Sequence, residues 1–176
     1  MLKIIVIAVI VIIAAILLYA ATRPDTFRVE RSATIRATPE KLFPLINDFH
    51  NWPSWSAWDK KDLAMKTTYS GAASGKGAIY EWNGNRNVGS GRMEIVESAA
   101  SSRVVVQLDF ITPFEGHNKA TFTLNPVAEG TKVVWVMDGP MPFIPKLFGI
   151  FVSMDKMIGK DFEDSLAGLM SVAEKS

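Results

Sequence analysis

From Ile4 to Ala21 the chain runs for 18 residues without a charge, and only Tyr19 in that stretch carries a side-chain polar atom. A helix of that length covers roughly 27 Å, close to the hydrocarbon thickness of a bilayer. It keeps its backbone hydrogen bonds internal, as lipid demands. The run has no polar face, so it cannot lie on a soluble domain as an amphipathic helix, and a buried core helix fits it poorly. It predicts a single-pass membrane anchor, with its short linker, over residues 1–24. A cleaved signal peptide is the competing reading. Against it, the apolar stretch exceeds the usual length of about 7–15 residues. A cut after Ala20 or Ala21 would also put Leu18 or Tyr19 at the −3 position, where a small residue belongs.

Lys3 precedes the run, and Arg23, Arg28, Arg31 and Arg36 follow it. The asymmetry favours a cytoplasmic domain, yet long segments cross a membrane regardless of charge. The side on which the domain lies therefore stays open, as does its oligomeric state. The chain has no cysteine, which excludes a disulfide framework. Setting Lys3 aside leaves 18 basic and 18 acidic residues. A neutral domain without a basic block makes a poor nucleic-acid binder; the partner it suits is apolar.

Residues 25–176 read as one domain. Pro24 stops the apolar helix, and Phe27–Arg36 follows as a half-buried strand with Phe27, Val29, Ala33 and Ile35 on one face. Thr38-Pro39-Glu40 opens a short helix, with Thr38 as N-cap, Pro39 in the first turn and Pro44 limiting its length. A second short helix or turn is expected in the aromatic stretch Asn47–Asp59. Strands are then predicted at Lys66–Gly71, Ala78–Asn83, Gly89–Ser98, Arg103–Phe110, Glu115–Leu124 and Thr131–Gly139. Their short Gly-, Asn- and Ser-rich connections imply an antiparallel meander. Alternation makes one sheet face apolar, and a predicted helix over about Lys146–Lys175 covers it. Its stripe is Leu147, Phe151, Met154, Ile158, Phe162, Leu166 and Leu169.

This order of elements resembles the helix-grip (START-like) fold of the SRPBCC superfamily. Local motifs agree. Ala37-Thr-Pro-Glu-Lys-Leu-Phe43 and Asn47-Asp-Phe-His-Asn-Trp-Pro-Ser-Trp55 resemble the helical entry of the polyketide cyclase/dehydrase branch. Tyr80-Glu-Trp-Asn-Gly84, Gly89-Ser-Gly-Arg-Met-Glu-Ile95, Gly130-Thr-Lys-Val-Val-Trp135 and Met154–Phe162 resemble its strands and the start of its last helix. The resemblance implies an α+β domain, a curved antiparallel sheet around a long C-terminal helix, enclosing a cavity for a hydrophobic molecule. It does not imply a particular reaction.

Alternation and the helical stripe point Trp52, Trp55, Tyr80, Trp82, Met93, Phe122, Trp135, Met137, Met154, Met157, Ile158 and Phe162 into the interior. They either line a pocket or pack a solid core. Asn118 shares the face of Ala120 and Phe122. A buried amide needs a partner, protein or ligand, which makes Asn118 the candidate polar contact.

His50, Asp48 and a serine do not make a hydrolase, because no G-x-S-x-G elbow is present. Two histidines without cysteine are a poor basis for a zinc site, and the glycine clusters at 75–77 and 84–89 match hairpin turns rather than a phosphate loop. No cofactor and no catalytic constellation are implied. Three functions stay open: a membrane-anchored binder of a lipid-like or aromatic molecule, a cyclase-type enzyme, and a structural or stress-related protein with a vestigial cavity.

Overall fold

The computed structural model describes residues 1–175. Helix α1 (Leu2–Thr22) leads through a short linker into β1 (Thr26–Ile35). Helix α2 (Pro39–Asn47) and a 3-10 turn (Phe49–Ser54) follow. The strands are then β2 (Lys66–Gly71), β3 (Ala78–Asn83), β4 (Ser90–Ala99), β5 (Arg103–Thr112), β6 (Gly116–Val127) and β7 (Gly130–Pro140). Helices α3 (Phe143–Gly149) and α4 (Met154–Lys175) end the chain. All seven strands form one antiparallel sheet in the order β1-β7-β6-β5-β4-β3-β2, so the meander is as expected and the first strand pairs with the last. Register shifts in the β4–β5 ladder, between Ser90 and Gly91 and between Ile95 and Glu97, are bulges of the kind that bend a strand and increase its twist.

The concave face carries the alternating apolar residues. Val104, Val106 and Leu108 of β5 sit opposite Phe122, Ala120 and Asn118 of β6; Phe122 and Ala120 in turn face Trp135 and Met137 of β7, and the Asn118 side chain lies against Gly139. Helix α4 lies over this face with Phe162, Leu166, Leu169 and Ala173 buried. Thr38 is the N-cap of α2, but through its backbone: its carbonyl accepts from Lys41 N and Leu42 N at 3.1 and 3.2 Å, while its hydroxyl makes no capping bond.

Two expectations need correction. The C-terminal helix is not continuous from Lys146: the chain breaks at Ile150–Ser153 between α3 and α4. Gly149 ends the first piece, and Ser153 caps the second by accepting from Lys156 N through both its carbonyl, at 3.1 Å, and its hydroxyl, at 3.3 Å. The apolar stripe therefore enters the core only from Met154 onward, and Phe151 is 73% exposed. Met157 is also turned outward, 57% exposed, because the helix phase that buries Phe162 and Leu166 carries it to the wet side.

Arg31 stands on the inward face of β1, between Val29 and Ala33, opposite Trp135. Its guanidinium reaches α4, where it holds Asp155 Oδ1 at 2.7 Å and Glu163 Oε1 at 2.6 Å. The group lies flat against Gly159, whose missing side chain leaves the room it needs. The hydrogen bonds to Asp155 and Glu163 push the Arg31 pKa further up, so the charge that ties α4 to the edge strand is permanent.

Candidate functional site

The interior under α4 has two ends with different character. At one, the 3-10 turn drives its aromatic rings between α2 and the sheet. Trp52 Nε1 donates to the Ile46 carbonyl and Trp55 Nε1 to the Leu45 carbonyl, each at 2.9 Å. The Trp52 ring meets Trp55 at 4.9 Å, and the Phe122 ring stacks on Trp135 at 4.7 Å. Trp135 in turn lies parallel to Phe162 at 3.9 Å. Five of the expected lining residues, Trp52, Trp55, Phe122, Trp135 and Phe162, are thus brought together as interlocked rings that fill the space between them.

At the other end lie Trp82, Met93, Asn118 and Met137, all buried, with Met154 and Ile158 of α4 partly buried above them. Phe27 and Phe110 are also only partly buried and pack against the same cluster. Sequence reasoning placed Phe27 and Phe110 on the inward face but did not count them in the site. Tyr80 sits between the two ends, 2% exposed, and its hydroxyl donates to Asp59 Oδ1 at 2.9 Å. Burial, then the neighbouring Asp59 carboxylate, pushes the Tyr80 pKa up, so the phenol keeps its proton. Trp82 Nε1 donates to the Val88 carbonyl at 3.1 Å.

That accounts for the polar atoms of Trp52, Trp55, Tyr80 and Trp82. Two remain. Trp135 Nε1 is sealed from water without a hydrogen-bond partner. The Asn118 amide is held in a residue only 8% exposed, and it makes no hydrogen bond to any described residue. It rests over Gly139 with Phe27 beside it; a methyl group at Gly139 would collide with the Asn118 Oδ1. Unlike the Trp135 indole, its polar atoms are not sealed from solvent, and the backbone at Gly139 clears a space for them.

A separate cleft of about 150 Å³ opens between the 3-10 turn and the β2–β3 hairpin, lined by Phe49, His50, Tyr69, Ala78 and Ile79. His50 stacks on Tyr69 at 4.2 Å and shares a hydrogen bond with Asp48 Oδ1 through Nδ1 at 2.8 Å. On the outer face, His117 pairs with Asp109 at 2.8 Å. The hydrogen bond that His117 donates to Asp109 raises the His117 pKa. Burial alone would push Asp109 up, but the bonds from His117 and Gln107 outweigh it and hold its pKa low. Both histidines are more than half exposed and stand outside the apolar interior.

Solved structures share this architecture. Protein CV1439 of Chromobacterium violaceum matches with a TM-score of 0.59 at 18% identity, over 86% of this chain and 99% of that one. A protein of Rhizobium leguminosarum gives 0.63 at 11%, over 86% and 96%. DynU16, from the dynemicin biosynthetic locus, gives 0.57 at 17%, over 86% of this chain and 48% of DynU16. At these identities the likeness concerns the fold. No curated protein matches the sequence. Residues 26–174 match the family described as polyketide cyclase / dehydrase and lipid transport. With seven strands gripping one long helix, a wall of inward aromatics and that match over nearly the whole domain, the chain belongs to the polyketide cyclase/dehydrase and lipid transport family of the SRPBCC superfamily.

Proposed function

We propose that this chain is a membrane-anchored domain that binds a hydrophobic small molecule, lipid-like or aromatic, at the Asn118 end of its interior. The observation that carries the reading is the unpaired Asn118 amide, nearly buried among apolar side chains over Gly139. A polar group without a protein partner beside an apolar cluster is free to meet a ligand, and ligand sites of this kind are mostly apolar with few polar contacts. Met93, Met137 and Met154 give the walls adaptable shape. Binding is favoured over catalysis because the ionisable groups closest to the interior, Arg31 and the Tyr80–Asp59 pair, are already engaged within the fold.

The anchor reading rests on α1, whose 21 residues leave only Ala20 buried. Membrane fractionation with N-terminal sequencing tests it: a mature chain beginning near Ala21 or Thr22 means a cleaved signal. The ligand reading is tested by titrating the purified protein with a fluorescent fatty acid and a polycyclic aromatic probe. Saturable binding is expected, and Asn118→Leu, similar in volume, should alter the preference between probes. An absence of saturable binding across the panel defeats it.

A further inference from the structure

The exposed apolar side chains are unevenly distributed. Outside α1, every exposed large apolar residue except Val96 and Val127 belongs to the end of the domain where Asn118 and Gly139 lie. The densest part is the β7–α4 crossover: Phe143 is 43% exposed, Ile144 59%, Phe148 67%, Phe151 73% and Val152 51%. Phe114, 80% exposed, projects from the β5–β6 turn at the same end of the sheet. A patch of this kind on a folded domain marks a surface meant to be covered.

What covers it follows from α1. Helices α1 and α3 pack against each other, with Ala20 fully buried and Ile16, one turn earlier, half-buried. Lys146 of α3 is buried beside the linker and ion-paired to Asp25, and Met141 N donates to the Asp25 carbonyl at 2.6 Å. The crossover is therefore fastened to the exit of the anchor.

Twenty-one helical residues span about 31 Å, the thickness of the hydrocarbon core. Ala20 lies two residues from the helix end, roughly 3 Å inside that boundary. A segment packed there sits at the depth where apolar side chains of surface-lying helices bury, about 5–10 Å into the interface.

We infer that the α3 crossover, through Phe143, Ile144, Phe148, Phe151 and Val152, is a second membrane contact that seats the Asn118 end of the domain on the bilayer. The inference rests on α1 spanning that bilayer. A ligand partitioned in lipid then reaches the Asn118 end without crossing water.

The chain has no cysteine, so single substitutions can carry a fluorescent label in the full-length protein. Phe148→Cys, Phe151→Cys, Ile10→Cys and Glu129→Cys, each labelled with an environment-sensitive dye, are reconstituted in phosphatidylcholine vesicles with and without a nitroxide-bearing lipid. All four side chains are exposed, so the core is undisturbed. Labels at 148 and 151 should shift to the blue and lose severalfold emission to the nitroxide, while the label at 129 should not change. Labels at 148 and 151 that remain in water overturn the inference. Labels shielded from water yet untouched by the lipid nitroxide also overturn it, pointing to a protein surface such as a second copy. The label at 10 reports separately on the anchor: quenched there but not at 148 means that α1 spans and the crossover does not dock. Quenching at 148 and 151 without quenching at 10 keeps the crossover on the lipid and removes the span.

Discussion

The two ends of the interior are built from the same sheet and helix, yet one is more nearly finished. Around Trp52, Trp55, Phe122 and Leu169, rings interlock and the indole N–H groups of Trp52 and Trp55 are satisfied by α2 carbonyls, although Trp135 Nε1 in the same stack has no partner. Around Asn118, an amide lacks a partner, Phe27, Phe110, Met154 and Ile158 are only partly buried, and the loops beyond carry exposed aromatics. A domain of this size needs one well-packed region to be stable. Having that at one end frees the other to keep features that weaken packing, where a ligand or a lipid surface can complete it.

The comparison can be broken most severely with Leu166→Asp. Leu166 is 3% exposed against the sheet, and an unpaired charge there costs several kcal/mol; a denaturation series should find the variant unfolded. Trp55→Ala, at the finished end, should cost about 3–5 kcal/mol, as loss of a buried ring does. Phe110→Ala, where the ring already meets solvent, should cost about 1–2 kcal/mol. Equal losses from urea midpoints would mean that the two ends do not differ.

Asn118→Leu is the sharper test, because stability and binding should part. The amide has no protein partner to lose, so stability should stay within about 0.5 kcal/mol, while binding of polar-headed probes weakens. Lower stability together with unchanged binding would mean that the amide serves the fold.

The smallest effect lies on the outer face. His117 is raised by its bond to Asp109, so its contribution is complete below pH about 6.5 and fades as pH rises through the raised value. Asp109 is lowered, so its share fades instead in acid, as pH falls through the depressed value. An NMR titration should place the His117 midpoint above about 6.5 and return it toward that value in Asp109→Asn.

The sheet was readable in advance because period-two alternation leaves little freedom: β3 falls on the residues at which the pattern begins and ends, while β2, which does not alternate, was bounded by its turn residues. The helical phase was equally plain from Phe162 onward. The break before Met154 was not, since Leu147 and Phe151 continue the four-residue spacing and only Gly149 and Ser153 interrupt it. Arg31 was passed over for the opposite reason: a charge on an apolar face looks like a flaw in the strand until its partners, 124 and 132 residues away, are known. Asn118 could be placed by phase, but whether its amide finds a partner depends on every neighbouring side chain, which no local pattern records. The same holds for filling: alternation names the inward residues without saying whether their volumes close the gap.

The pairing of β1 with β7 has a consequence for the order of synthesis. Ile35 pairs with Thr131, and Thr26 with Pro140, so the first strand to leave the ribosome waits for the last. At about 5–20 residues per second the wait is roughly 5–20 s, and the loop closed by that pairing adds its own entropic delay. Throughout it β1 has no neighbour for its backbone, and Phe27, Val29 and Ile35 have no sheet to face. A strand in that condition is an invitation to pair with another chain. Here it follows within four residues of the end of α1. A membrane that holds α1 confines the waiting strand to the surface, lowering its chance of meeting a copy in solution while the remaining strands are made.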